Sequence, residues 1–389
     1  MDMDDLDIAA LRRLGGVKWA DCDDGAIAAW VADMDFPVAE PIARALSQML
    51  ERSDLGYPVA PRPGALPSIF AARMRERFGW DFDPERVEVV TDVVQALHLA
   101  VDTFSEAGDS IITPLPIYPP FLEAVEGQGR VAVWQRYVAS GDGYRIDVPR
   151  LRSELQPATR MLLVCNPHNP TGRVLTTSEL AALAQIALER DLVVVSDEIH
   201  SDLVYPGRAH VPMASLGSEI AARTITLSSA SKAFNIAGLR CAVAVFGTPE
   251  LQQSFNRIHR HARGGLGSFG LAATAAAWTE GQPWLDEVLA YLQGNRDLVA
   301  DHAGSCWPGV VHFAPEATYL AWLDFGALAL GRSPQRYFLD SARVLLSPGE
   351  DFGEAGRGCV RLNFATSRPI LREILARLDG AIEKAGQVR

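Results

Sequence analysis

The 389-residue chain contains no apolar run near the ~18 consecutive residues that a membrane-spanning helix needs. Its five cysteines (Cys22, Cys165, Cys241, Cys306 and Cys359) include no CxxC pair. An odd number of widely spread thiols argues against a secreted disulfide framework and against structural zinc. Positive charge is scarce: 36 Lys and Arg against 48 Asp and Glu give a net charge of −12. A field of that sign repels nucleic acid and anionic membrane, and the one basic run, Arg257 to Arg263, is short. Internal repeats and low-complexity linkers are missing too. The N-terminus, MDMDDLD, is acidic where a secretory signal would be basic, so the chain is read as untargeted and cytoplasmic. With 48% apolar and 22% charged residues it has a globular composition, and its length suggests two or three domains.

What is present from about residue 87 is an alternation of strand and helix patterns. VEVVT (87–91), DSIITP, RVAVWQ, RMLLVCN, LVVVSD, RTITLSS and CAVAVFG are short β-branched runs, and helical patterns fall between several of them. Thr176 and Glu179 have capping-box spacing at the start of a helix over 177–189, and Thr248-Pro249 opens another. This interleaving predicts an α/β fold, a mostly parallel sheet with helices on both faces, spanning residues 46–280. After about residue 280 come a long helix pattern (283–303), two strands in VVHFAPEATYLAWLDF, a helix from Ser333-Pro334, the strand CVRLNFA and a last helix. That order suits a smaller α+β domain over 281–389, against which residues 1–45 are expected to pack.

Two motifs are decoys. Gly265, Gly267 and Gly270 match GxGxxG but follow a basic, helical-looking run where a dinucleotide site needs a buried strand. His259 and His261 have no third metal ligand in reach and read as a solvated helix face. The chemistry lies in 165–240. CNPHNPTG follows one strand, Asp197 ends another, and a third runs into SSASKAFNIAGLR, with Lys232 eight residues before Arg240. Open α/β sheets bind ligands at the carboxyl ends of their strands. Taken singly, an aspartate there is usually a helix cap and a lysine is usually solvated. Together they suit pyridoxal phosphate, whose aldehyde needs an amine, whose ring nitrogen needs a carboxylate, and whose phosphate needs arginine and hydroxyls.

SxSKxFNxAGLR, NPHNPTG and SDEIH together resemble the fold type I pyridoxal-phosphate enzymes of the class I/II aminotransferase superfamily, over nearly the whole chain. WVADMDFP (30–37), LGYP (55–58), PIYPPF (116–121), the histidine of SDEIH and RLNF (361–364) resemble the cystathionine β-lyase, or C–S lyase, branch. The resemblance implies that Lys232 carries pyridoxal 5'-phosphate and shuttles the α-proton, and that Asp197 pairs with the ring nitrogen. It implies Asn169 and His200 at the phenolate oxygen, and Tyr118 stacked on the ring. Ser229, Ser231, Arg240 and the amides of Val93 and Val94 would hold the phosphate. Tyr57 would reach the phosphate of a neighbouring subunit in a homodimer, with Ser268 a weaker cross-subunit candidate, and Arg361 would clamp the α-carboxylate of an amino-acid substrate. Asp92 departs from the pattern. As an N-cap it is favourable, yet its charge opposes a phosphate, so either the side chain turns away or the cup is remodelled.

The implied activity is β-elimination from cystathionine or another S-substituted cysteine to thiol, pyruvate and ammonia. An aminotransferase uses the same residues and ends by reprotonation at the cofactor, and a non-catalytic cofactor-binding regulator is a third reading. Pyruvate formed without added 2-oxo acid separates the first two. A visible absorbance that ignores amino acids would mark the third.

Overall fold

A computed structural model describes residues 3–58, 65–141, 143–328 and 330–387. Its larger sheet has eight strands in the order Val87–Val90, Ala242–Phe246, Thr224–Ser228, Val193–Asp197, Thr159–Cys165, Ser110–Leu115, Val131–Ser140 and Gly143–Ile146. All but Ala242–Phe246 and Gly143–Ile146 run in one direction. Alternate residues of a buried strand point to opposite faces, and here both faces are apolar. Met161, Leu163 and Cys165 pack with the helix Val93–Phe104, whereas Leu162 and Val164 join a second cluster with the helix Thr177–Glu189. Each such side chain contributes about 1.5–3 kcal/mol on burial, so the strands are fixed from both sides.

The capping box at Thr176 and Glu179 forms as the spacing requires, and Thr248 caps Pro249–Asn256 by accepting the Leu251 N–H at 3.3 Å. The basic stretch after that helix departs from expectation. Helix stops at Asn256 and residues 257–263 turn, with the Ala262 N–H donating to His259 O at 2.8 Å. Stacking Arg257, Arg260 and Arg263 at helical spacing would crowd three guanidinium charges along one side. The rings of His259 and His261 lie 5.3 Å apart, and no group of three metal-ligating side chains occurs among the described residues. The GxGxxG glycines precede and enter the helix Ser268–Glu280 without a preceding strand.

The smaller sheet is antiparallel, ordered Val311–His312, Leu320–Asp324, Cys359–Asn363 and Ser347–Pro348. Near the N-terminus, Ile27–Ala28 pairs in parallel with Val344–Leu345, and Glu40–Glu51 packs on Ser268–Glu280. No helix among the described residues is long and apolar enough to cross a membrane.

Candidate active site

The site forms where three parallel strands end side by side. Cys165 is paired with Asp197, and Asp197 with Leu227 on the strand that leads into the Ser229–Lys232 turn. The Asn166 N–H donates to Asp197 O at 2.9 Å, which continues the ladder past the last strand residue. Local sequence accounts for this, since apolar β-branched residues give way to polar residues in register.

Asp197 is buried, and its carboxylate accepts one backbone N–H, from Ile199, at 3.0 Å. Burial pushes its pKa up to about 7, with Glu198 adding to the rise and Ile199 and Lys232 opposing it. A buried carboxylate in that condition lacks a close cation. His200 is buried, with Nδ1 unpartnered, and burial drives its pKa down to about 3, so the ring is neutral. Tyr118 precedes the helix Pro119–Val125, and burial raises its phenol above the usual range despite Arg361. Lys232 Nζ donates to Ala32 O at 2.9 Å and lies 3.9 Å from Asp33 Oδ1. Burial lowers the lysine from its ordinary value, while Asp33 and Asp197 oppose that and Arg361 reinforces it. Tyr118, Asp197, His200, Lys232 and Arg361 thus share one electrostatic neighbourhood.

The residues expected to bind a phosphate lie on the turn after Thr224–Ser228 and at the start of Val93–Phe104. Ser229 Oγ and Ser231 Oγ are 2.7 Å apart, and Ser229 also donates to Cys241 O at 2.6 Å. The first amides of a helix have no intrahelical acceptor, which leaves the Val93 and Val94 N–H groups free to face an anion. Asp92 resolves its own conflict by dividing its oxygens. Oδ1 accepts the Gln95 N–H at 2.8 Å as an N-cap, and Oδ2 pairs with the Arg240 guanidinium. Arg240 adopts a left-handed φ of 52° on the way to that pair. Gly270 follows from the same crowding, since a Cβ there would strike the Leu239 carbonyl. Asp92 therefore competes with any phosphate for Arg240. Asp92→Asn keeps a good cap and removes the competing charge, so it is expected to tighten cofactor binding by about 3- to 10-fold on titration of the apoprotein.

Arg361 and Asn363 alternate onto the same face of Cys359–Asn363 and both grip the segment 30–33. Arg361 donates to Asn169 Oδ1 at 3.0 Å, to Trp30 O at 3.0 Å and to Ser347 Oγ at 3.2 Å. It lies over Phe352 at 4.9 Å, and its Nε is buried with no partner. Asn363 donates to Val31 O at 2.5 Å and to Asp33 O at 2.7 Å. Asn235, on the Lys232 turn, accepts the Met34 N–H at 2.9 Å and donates to Met34 O and Phe36 O at 3.0 Å. Sequence reasoning missed Ala32, Asp33, Asn235, Ser347, Asn363 and Tyr319, whose hydroxyl donates to Ala32 O at 2.8 Å. The signal available was WVADMDFP itself, used above only for its likeness.

Tyr57 stands apart. It is fully exposed on this chain, beyond the cluster around Lys232, while the Ser268 hydroxyl ties down its neighbour Gly56 through the carbonyl at 2.6 Å. The remaining residues fit pyridoxal phosphate. A protonated ring nitrogen is the cation that Asp197 lacks, and the phenolate oxygen suits the neutral His200 and the Asn169 amide.

Comparison with known proteins bears on the family and the fold. Residues 37–378 match the family Aminotransferase class I and II. The chain is 36% identical to cystathionine beta-lyase PatB of Bacillus subtilis over 381 residues, 95% of this chain and 98% of the relative. It superposes with a TM-score of 0.91 and 32% identity on a putative PLP-dependent beta-cystathionase of Corynebacterium diphtheriae, covering 98% of this chain and 99% of the other. The PLP-bound C–S lyase of Staphylococcus hominis gives 0.90 and 30%, with 98% and 99% covered. The chain belongs to the class I and II aminotransferase family.

Proposed function

We propose that the protein is a pyridoxal-phosphate-dependent carbon–sulfur lyase. It cleaves the Cβ–S bond of cystathionine or another S-substituted cysteine and, with one water molecule, releases thiol, pyruvate and ammonia. The observation that carries this reading is the half-buried amine of Lys232, set in one group with the buried Asp197 carboxylate and the buried Arg361 guanidinium. The near-full-length likeness to cystathionine β-lyases supports elimination over transamination. When bound, pyridoxal phosphate supplies an electron sink for the carbanion left at the substrate Cα.

The chain's residues do the rest. Asp197 holds the ring nitrogen protonated, His200 and Asn169 steady the phenolate oxygen, and Tyr118 covers the ring. Ser229, Ser231, Arg240 and the Val93 and Val94 amides bind the phosphate. Arg361 fixes the α-carboxylate, which presents the Cα–H to Lys232 Nζ. Lys232 takes that proton, the Cβ–S bond breaks, and the electron pair departs with sulfur. The test is a pyruvate-release screen over cystathionine, cystine, S-alkyl-cysteines and alanine. Pyruvate without any 2-oxo acid is expected from the thioethers, and turnover only with added 2-oxo acid would establish an aminotransferase instead.

The exposure of Tyr57 supports a homodimer in which it completes the partner's phosphate site. Mixing Tyr57→Phe with Lys232→Ala subunits is expected to restore about a quarter of wild-type activity, because random pairing of the two makes half the dimers mixed and each of those has one intact site. Wild-type turnover by a monomer at sedimentation equilibrium would remove the idea. We further place the domain boundaries near residues 45 and 280, and the enzyme in the cytoplasm.

A further inference from the structure

WVADMDFP crosses the site, and its two aspartates have different surroundings. Asp35 is buried and engaged: Lys18 Nζ lies 3.0 Å from it, and Trp19 Nε1 donates to it at 2.7 Å. Asp33 is held by its backbone instead, its carbonyl accepting from Asn363 at 2.7 Å and from Lys18 at 3.1 Å. Its side chain, 34% exposed, faces Lys232 Nζ at 3.9 Å, and it makes no other ion pair among the described residues. The carboxylate is therefore not needed to hold the segment in place.

We propose that Asp33 is a positioning residue acting through Lys232, whose carboxylate holds the positive charge that Nζ carries before substrate enters and again after the α-proton is taken. The other groups facing Nζ are unsuited to that task. Arg361 repels it, Asp197 is committed to the ring nitrogen, and His200 is neutral. The Ala32 carbonyl, from the same segment, orients the amine but brings no charge. In the reaction the proton passes from Cα to Nζ, and Asp33 exchanges none.

The inference rests on the cofactor assignment above but not on the reaction. The test is a substrate-free titration of the visible band of the bound cofactor in wild type, Asp33→Asn and Asp33→Glu. Removing a counter-charge about 4 Å away, screened by partial exposure, is expected to lower the midpoint in Asp33→Asn by about one pH unit. Asp33→Glu restores the charge and should return the midpoint to within about 0.3 unit of wild type. With substrate, Asp33→Asn should lose about 10-fold in kcat while KM changes less than about 3-fold. An Asp33→Asn midpoint that stays at the wild-type value overturns the proposal, even if activity falls. Failure of every thioether to give pyruvate would sink the lyase reading and leave the titration result standing.

Discussion

Replacing Lys232 with alanine is expected to abolish the borohydride-fixable cofactor and to lower kcat for pyruvate release by about 10⁴-fold or more. The proposed function gives this one nitrogen two separate duties, covalent attachment of the cofactor and removal of the α-proton. The structure argues that the loss will be chemical and not a matter of folding. Lys232 Nζ makes one hydrogen bond, to Ala32 O, and that carbonyl keeps the Tyr319 hydroxyl at 2.8 Å when the amine is gone. No buried acceptor is orphaned, so thermal stability of the apoprotein should move by less than about 1 kcal/mol. Added pyridoxal phosphate should still bind non-covalently through the phosphate turn and Asp197, and should dialyse away. A fixed pyridoxyl group on any other lysine would end the assignment.

The legible parts of this protein are those whose signal is local. Strands such as RMLLVCN and LVVVSD announce themselves by short apolar runs that turn polar at one end, which is also why Asp197 could be placed at a strand terminus. Thr176 and Glu179 are three residues apart, so their cap needs no knowledge of the fold. Contacts between distant segments are another matter. Asp92 and Arg240 are separated by 148 residues and Arg361 and Asn169 by 192, and no periodicity links either pair. The segment 30–35 has no regular structure, since its backbone is satisfied by Asn235, Asn363, Arg361 and Ser347 from elsewhere in the chain. Gly143–Ile146 is a short edge strand opening on a glycine, paired among the described residues with Val131–Ser140 alone, and lacks the apolar run that marks central strands. The basic run 257–263 misled for the opposite reason, because composition alone suggested a helix that charge repulsion disfavours.

Arg361→Ala is expected to lower kcat/KM by about 100-fold or more for every amino-acid substrate, at about 1.4 kcal/mol per decade. Burial brings its pKa down to about 10, so at neutral pH the guanidinium is still charged. Three acceptors on separate segments hold it, Asn169, Trp30 O and Ser347, and Nε remains buried and unpaired. In the role proposed for Arg361, a substrate α-carboxylate would supply the missing acceptor. A charge-assisted contact of this kind is worth more than a neutral hydrogen bond, and leaving a carboxylate unpaired in the same place costs several kcal/mol. Lysine at this position should recover only part of the loss, because one ammonium cannot serve a carboxylate while spanning the distance to Asn169, Trp30 and Ser347. The effect should fall on substrate and spare the cofactor, since Arg361 touches neither the phosphate turn nor Asp197. Visible absorption of the bound cofactor is therefore expected to persist, with at most a small shift through Asn169. If Arg361→Ala instead releases pyridoxal phosphate while substrate affinity is unchanged, the carboxylate is held by another residue.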